Sequence, residues 1–359
     1  MKRGIFMMAG RPPCRPLGIA AILMLAFFMG EGCRRSAPQE ERFAVMGTFA
    51  SVMAGSDECD RTAEYAQICA GKMREIEAQL SLYRKDSELS RLNARAGMGP
   101  VRVGAHLRAN LVLALRFGEL SGGAFDVTVG PLVKMWGFSG GTSPTAWVST
   151  ERIEATRRRV GYRRIRLQGD EVSLEGTNMV VDLGGIAKGY AVDVCCDELR
   201  RRGARNFVVN LGGNMRCFGR PEASRSWQIG VQNPFQPHEV IGRLDLGDGM
   251  AVATSGNYER FVMIGDRRCA HIIDPRTGLP VEGMAGVTVL AATAAEADAL
   301  STSLFVLGME EGGKVAAAIT NGAAVFVPDR QPMEVWITPS MTNVFQAGSG
   351  VVPRVISNR

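Results

Sequence analysis

The chain has 359 residues, 46% of them hydrophobic, and a formal charge of +6. That length holds one large domain or two fused lobes, and the apolar fraction is that of a globular protein. Much of the positive excess is local (Lys2, Arg3, Arg11, Arg15, Arg34 and Arg35) and no basic helix with interleaved aromatics occurs, which argues against a nucleic-acid partner.

Residues 1–33 read as an export signal: a basic stretch to Arg15, an apolar core from Leu17 to Met29, and small residues leading to Cys33. The apolar run falls short of the about 20 residues that span a bilayer. Gly30-Glu31-Gly32-Cys33 resembles a bacterial lipoprotein cleavage site with Cys33 as the lipidated residue, although Glu31 stands where that motif has a small or aliphatic residue. An uncleaved N-terminal anchor is the alternative. Either reading puts the body outside the cytoplasm, on the periplasmic side of the inner membrane. Residues 34–42 read as a tether, 43–340 as the folded domain and 341–359 as a C-terminal tail.

From Asp60 a helix is signalled by Ala66, Cys69, Met73, Ile76 and Leu80, spaced by three and four residues. A second runs from Gly104 to Leu120, with Leu107, Leu111, Ala114 and Leu115 inward and Gly122-Gly123 ending it. Between them, Asp86 or Ser87 caps a short helix after Tyr83. Residues 139–147 form a loop, and Arg157-Arg158-Arg159 marks a solvated helix face. A hairpin is expected across Gly169-Asp170, joining Arg163–Gln168 to Glu171–Leu174. Met179 to Leu183 is strand-like and runs into a glycine pair, after which a helix opens. Further strands are expected at Phe207–Leu211, Trp227–Val231, Val240–Leu246, Arg260–Ile264, Val287–Ala291 and Ala323–Val327, with a helix from Ala294 to Leu307. Early helices followed by antiparallel strands argue for an α+β fold with a mixed, mainly antiparallel sheet. The pairs Gly184-Gly185 and Gly212-Gly213, each after an apolar strand, suggest two related halves. The six cysteines beyond the signal lack zinc-type spacing and read mostly as small buried hydrophobes.

Four stretches carry chemistry. In Val-Asp182-Leu-Gly184-Gly185-Ile-Ala-Lys188-Gly189-Tyr190-Ala-Val-Asp193 the glycines admit close backbone approach, and helix-start N–H groups beside a lysine attract phosphate oxygens. An ordinary tight turn is the alternative. Asp298 and Thr302 stand four apart on an apolar helix, so their oxygens share one face. A buried carboxylate beside a hydroxyl suits Mg²⁺, unless Asp298 pairs with an arginine and Thr302 bonds back to its own helix. His271, in His-Ile-Ile-Asp274-Pro275-Arg276-Thr277-Gly278, is a general base, a ligand contact or a structural histidine next to a good turn. Gly123 to Phe138 sets aromatics beside Asp126, which suits a flat heterocycle, though aromatics also build cores.

Taken in series, these motifs closely resemble the ApbE family of FAD:protein FMN transferases. The resemblance runs through Met46-Gly47-Thr48, Ser81–Asn93, Gly123–Phe138, Asp182–Asp193, Val209–Asn214, Thr254–Arg260, His271–Gly278 and Ala297–Leu304. Gly286 departs from the serine expected before Val-Thr-Val. The resemblance implies an ApbE-like fold and a Mg²⁺-dependent enzyme that moves the FMN half of FAD onto a threonine or serine of a target protein, releasing AMP. The targets would be flavoprotein subunits of the Rnf or Nqr type, or related extracytoplasmic flavoproteins. By motif, Met46, Tyr83, Ala124, Phe125, Asp126, Lys188, His271 and Ile272 would hold FAD. Gly185 through its carbonyl, Asp298 and Thr302 would hold Mg²⁺, and His271, then Asp298, would take the hydroxyl proton. A Mg²⁺-dependent FAD pyrophosphatase and a non-catalytic flavin-binding lipoprotein are the competing functions.

Overall fold

The computed structural model describes residues 37–139, 144–319 and 323–356. The export signal, Cys33 and residues 140–143 of the expected 139–147 loop lie outside the described residues. Met46 (φ 52°) and Gly47 (φ 69°) both take left-handed backbone, the turn that brings two strands together with the native twist. Gln39–Val45 and Thr48–Ala54 therefore fold into a hairpin in full register, Gln39 opposite Ala54 and Val45 opposite Thr48. Residues 39–42, expected as the end of the tether, are thus strand.

Among the described residues, nine strands build the main sheet. Their spatial order is Gln39–Val45, Thr48–Ala54, Phe207–Leu211, Asn214–Phe218, Ala251–Gly256, Met284–Ala291, Ala323–Pro328, Val335–Ile337 and Pro353–Val355. Every neighbouring pair is antiparallel except the last. The described helices are α1 (Thr62–Leu80), α2 (Glu88–Ala94), α3 (Ala105–Leu120), α4 (Gly130–Met135), α5 (Thr150–Arg157), α6 (Ala187–Arg201) and α7 (Ala294–Ala318). None is long and apolar enough to cross a membrane. The α+β reading and its mainly antiparallel sheet are confirmed.

Side chains alternate across a strand, so one sheet can serve two cores. Phe207, Val209, Val287, Val289 and Phe326 point to the face covered by α1, α3, α6 and α7. Val208, Val252, Leu290, Val325 and Val327 point to the other, where a three-stranded sheet covers them with Trp227, Leu244 and Phe345. That smaller sheet contains Trp227–Asn233, Gln236–Leu246 and Phe345–Ala347. Beyond residue 340, therefore, the chain still adds strands to both sheets. A third apolar cluster lies under the hairpin Phe261–Ile264/Arg267–Ala270.

Two elements differ from expectation. Met179 to Leu183 is not a strand: only Val180 makes an isolated bridge, to Val129. The Asn93 side chain takes the place of a neighbouring strand, donating to the Val181 carbonyl at 2.9 Å and accepting from the Val181 N–H at 2.8 Å. Helix α7 passes the expected end at Leu307, but Gly308 (φ 72°, ψ −171°) interrupts it there before it resumes. The short cap is Ser87, whose hydroxyl accepts from the Ser90 N–H at 2.9 Å. Cys69, Cys195, Cys196, Cys217 and Cys269 are buried free thiols and Cys59 is half-buried.

Candidate active site

Helices α6 and α7 lie so close that only glycine fits at 189. A Cβ there would overlap the Ala294 carbonyl and come within 2.8 Å of the Ala295 Cα. This approach lets the Gly189 N–H donate to Asp298 Oδ2 at 2.9 Å. A second lock lies one turn on. Asp193 accepts from the Ala294 and Ala295 N–H groups at 2.9 Å each, at the N-terminus of α7, and pairs with Arg216 at 2.9 Å. The pair of locks sets Asp298 against the glycine turn that begins α6.

Asp298 is almost wholly buried. Burial pushes its carboxyl above the usual range, opposed by the Lys188 charge and the Gly189 hydrogen bond. Lys188 Nζ lies 3.9 Å from Asp298 Oδ1, close enough to attract but too far to hydrogen-bond. Gly185 faces Thr302 across the same gap: a Cβ at 185 would sit 3.3 Å from Thr302 Oγ1 and 3.2 Å from the Phe125 ring. Thr302 Oγ1 also contacts Ser255 Oγ at 3.3 Å, and Ser255 reaches Ser301 at 3.0 Å. The Asp298 carboxylate, the Thr302 and Ser255 hydroxyls and the Gly185 backbone thus gather from α7, the Ala251–Gly256 strand and the turn before α6. Among the described residues no three His, Cys, Asp or Glu side chains gather into a metal cluster. A cation held here would depend on one carboxylate plus neutral oxygens.

His271 approaches from the far end of the Phe261–Ala270 hairpin. The Arg260 carbonyl takes two hydrogen bonds from it, from the backbone N–H at 3.2 Å and from Nδ1 at 3.1 Å. A carbonyl only accepts, so the proton is assigned to Nδ1 and Nε2 keeps its lone pair. Burial lowers the imidazole pKa to about 4, with the Arg260 and Lys188 charges acting in the same direction. The ring is neutral at pH 7.

A profile of the ApbE family matches residues 46–327. The chain belongs to the ApbE family. It is 37% identical over 247 residues to a FAD:protein FMN transferase of Vibrio cholerae, covering 68% of this chain and 74% of that protein. Among solved structures, the flavin transferase ApbE from Vibrio cholerae superposes with a TM-score of 0.73 at 32% identity, over 86% of this chain and 99% of that one. An ApbE protein from Thermotoga maritima gives 0.75 at 32% identity, over 83% and 96%.

Within this ApbE fold, Gly185, Lys188, Asp298, Thr302 and Phe125 gather as described above, and His271 feels the Lys188 charge across the same cleft. Ala124 and Ile272 are buried in the main core. Met46 forms the left-handed turn of the first hairpin, and Tyr83 stands 68% exposed on the loop after α1. The Asp126 carboxylate is engaged within its own wall: it accepts from Thr128 N–H at 2.8 Å, Thr128 Oγ1 at 2.6 Å and Tyr162 N–H at 2.8 Å. Trp136 is core, its indole N–H donating to the Gly278 carbonyl at 2.9 Å, and Asp274 pairs with Arg276 to hold the turn after His271.

Three charged residues were not selected from the sequence. Asp182 accepts from the Gly184 N–H at 2.9 Å, and burial raises its carboxyl against the Arg260 charge. Glu259 is likewise raised, by burial and by Asp298, with Lys188 and Arg260 opposing. Lys188 and Arg260 therefore form the positive field of the cleft. The available signal was their position: Asp182 opens the glycine motif, and Glu259-Arg260 closes Thr254–Arg260.

Proposed function

We infer that the chain is a FAD:protein FMN transferase. The observation carrying this reading is the buried Asp298 carboxylate, held by Gly189 and flanked by Lys188, Thr302 and Gly185. The names of its relatives point to the same reaction. A threonine or serine hydroxyl of the acceptor forms a new bond to the phosphorus of the FMN half. The bond from that phosphorus to the AMP oxygen breaks, and AMP leaves with the electron pair. His271 Nε2 takes the hydroxyl proton, while Lys188 faces the charge that builds on the diphosphate. Asp126 acts through the loop it braces, behind Phe125.

The oxygen donors fit a hard divalent cation. Asp298 is a nearly buried carboxylate, and Thr302 and the Gly185 carbonyl are neutral oxygens of the kind Mg²⁺ takes alongside substrate phosphates. When bound, Mg²⁺ would neutralise charge on the phosphate oxygens. The expected acceptors are extracytoplasmic flavoprotein subunits of the Rnf or Nqr type, and the body is proposed to sit on the periplasmic side, tethered at Cys33. The basic-apolar-Cys33 pattern supports the tether. Cys33→Ala should move the protein from the membrane to the soluble fraction, and its retention there would remove the lipid anchor.

The test of function is incubation with FAD, Mg²⁺ and a flavoprotein acceptor, followed by mass measurement of the acceptor. One added FMN phosphoryl group per acceptor is expected, lost with a chelator and in a folded Asp298→Asn variant. AMP release with an unmodified acceptor would instead identify a pyrophosphatase.

A further inference from the structure

The hairpin Phe261–Ile264/Arg267–Ala270 pairs with no other strand among the described residues. Its inner face is accounted for: Ile264 and Cys269 are buried with Trp136 and Ile273. Its outer face is not. Phe261 and Met263, two residues apart and so on the same side, are 49% and 53% exposed. The Arg268 guanidinium, opposite Met263 on that side, lies 4.2 Å over the Phe261 ring, whereas Arg267, opposite Ile264, lies on the inner side, 4.7 Å over the half-exposed Trp147. Neither arginine pairs with a carboxylate among the described residues. A stacked arginine, an aromatic and a methionine are side chains that interfaces favour.

What covers this face follows from where the hairpin is rooted. Its first strand leaves Arg260 and its second returns at His271, and the Arg260 carbonyl holds both the backbone and the ring of that histidine. A polypeptide that brings a hydroxyl to His271 Nε2 must therefore lie beside the hairpin. Within residues 260–271 three arginines oppose one acid, Asp266. We propose that the outer face of this hairpin docks the acceptor polypeptide, through an acidic stretch next to the accepting hydroxyl. The proposal rests on the transferase reading and adds the surface that selects the second substrate.

The full chain with FAD and Mg²⁺ is assayed against the flavoprotein subunit that accepts FMN in the assay above. Arg268→Glu should lower kcat/KM for the acceptor by at least about tenfold, mainly through KM. Arg268→Lys should restore most of it, and the affinity for FAD, read by flavin fluorescence, should not change. A charge-reversed variant with the wild-type KM and salt dependence overturns the proposal. Hydrogen exchange on the wild-type chain decides independently of folding of the variants: residues 261–270 should be protected by saturating acceptor, and unchanged exchange overturns docking there. A wild-type chain that puts FMN on no acceptor refutes the transferase reading itself, a result distinct from either of these.

Discussion

His271 shows how one backbone atom can prepare a side chain for chemistry. With Nδ1 donating to the Arg260 carbonyl, proton uptake has only Nε2 available. Its pKa of about 4 keeps that site open through the neutral range. The rate of transfer, measured as kcat/KM, should be flat above about 5 and fall as the imidazole protonates near 4. His271→Asn should cost roughly 10²–10⁴-fold and erase that acid limb. The same shift has a sign in stability. The folded pKa lies below the ordinary 6.5, so between those values the unfolded chain binds more protons. The contribution of His271 to stability is present above about 6.5 and is lost as pH falls towards 4.

At the scale of elements, the meeting of α6 and α7 is the feature on which the cleft depends. Gly189→Ala sets a methyl group against backbone, which cannot swing aside as a side chain could. The helices must part, at a cost of about 1–3 kcal/mol, lowering Tm by roughly 2–10 °C. Transfer should fall as well, because Gly189 no longer holds Asp298. Gly71→Ala is the contrast. Its Cβ meets nothing within 4 Å on the exposed side of α1, so a gain of about 0.4–1 kcal/mol is expected, read from the same melting curves. Periodicity made α1, α3 and the first part of α7 legible, since each has a long apolar stripe. It failed at Met179–Leu183, where an asparagine 88 positions away stands in for a strand. The hairpin at Met46 was also missed, because Gln39–Val45 is an edge strand whose first four residues are exposed polar ones.

Over the whole molecule, the sheet separates two tasks. One face carries the helices and the cleft; the other is closed by Trp227, Leu244 and Phe345 under the smaller sheet. Removing residues 341–359 takes away buried Met341 and Phe345 and the strand that covers Val335–Ile337. The shortened chain should melt several degrees lower and tend to aggregate through the bared edge, yet still bind FAD at low temperature. Melting curves and light scattering read the first two, and flavin fluorescence the third. The α+β class could be read ahead of the structure because helices cluster early and strands late. Asp298 and Thr302 could be paired because four residues make about one helical turn. Facing Gly185 against Thr302 needed the fold, since no local pattern relates residues more than 100 positions apart. The role of the Arg260 carbonyl has no sequence signature at all, because every residue carries that atom.

That carbonyl also couples recognition to reactivity. On the proposed docking, a client seated on the hairpin rooted at Arg260 bears on the same backbone atom that orients the imidazole, so selection of the client and aim of the base share one support.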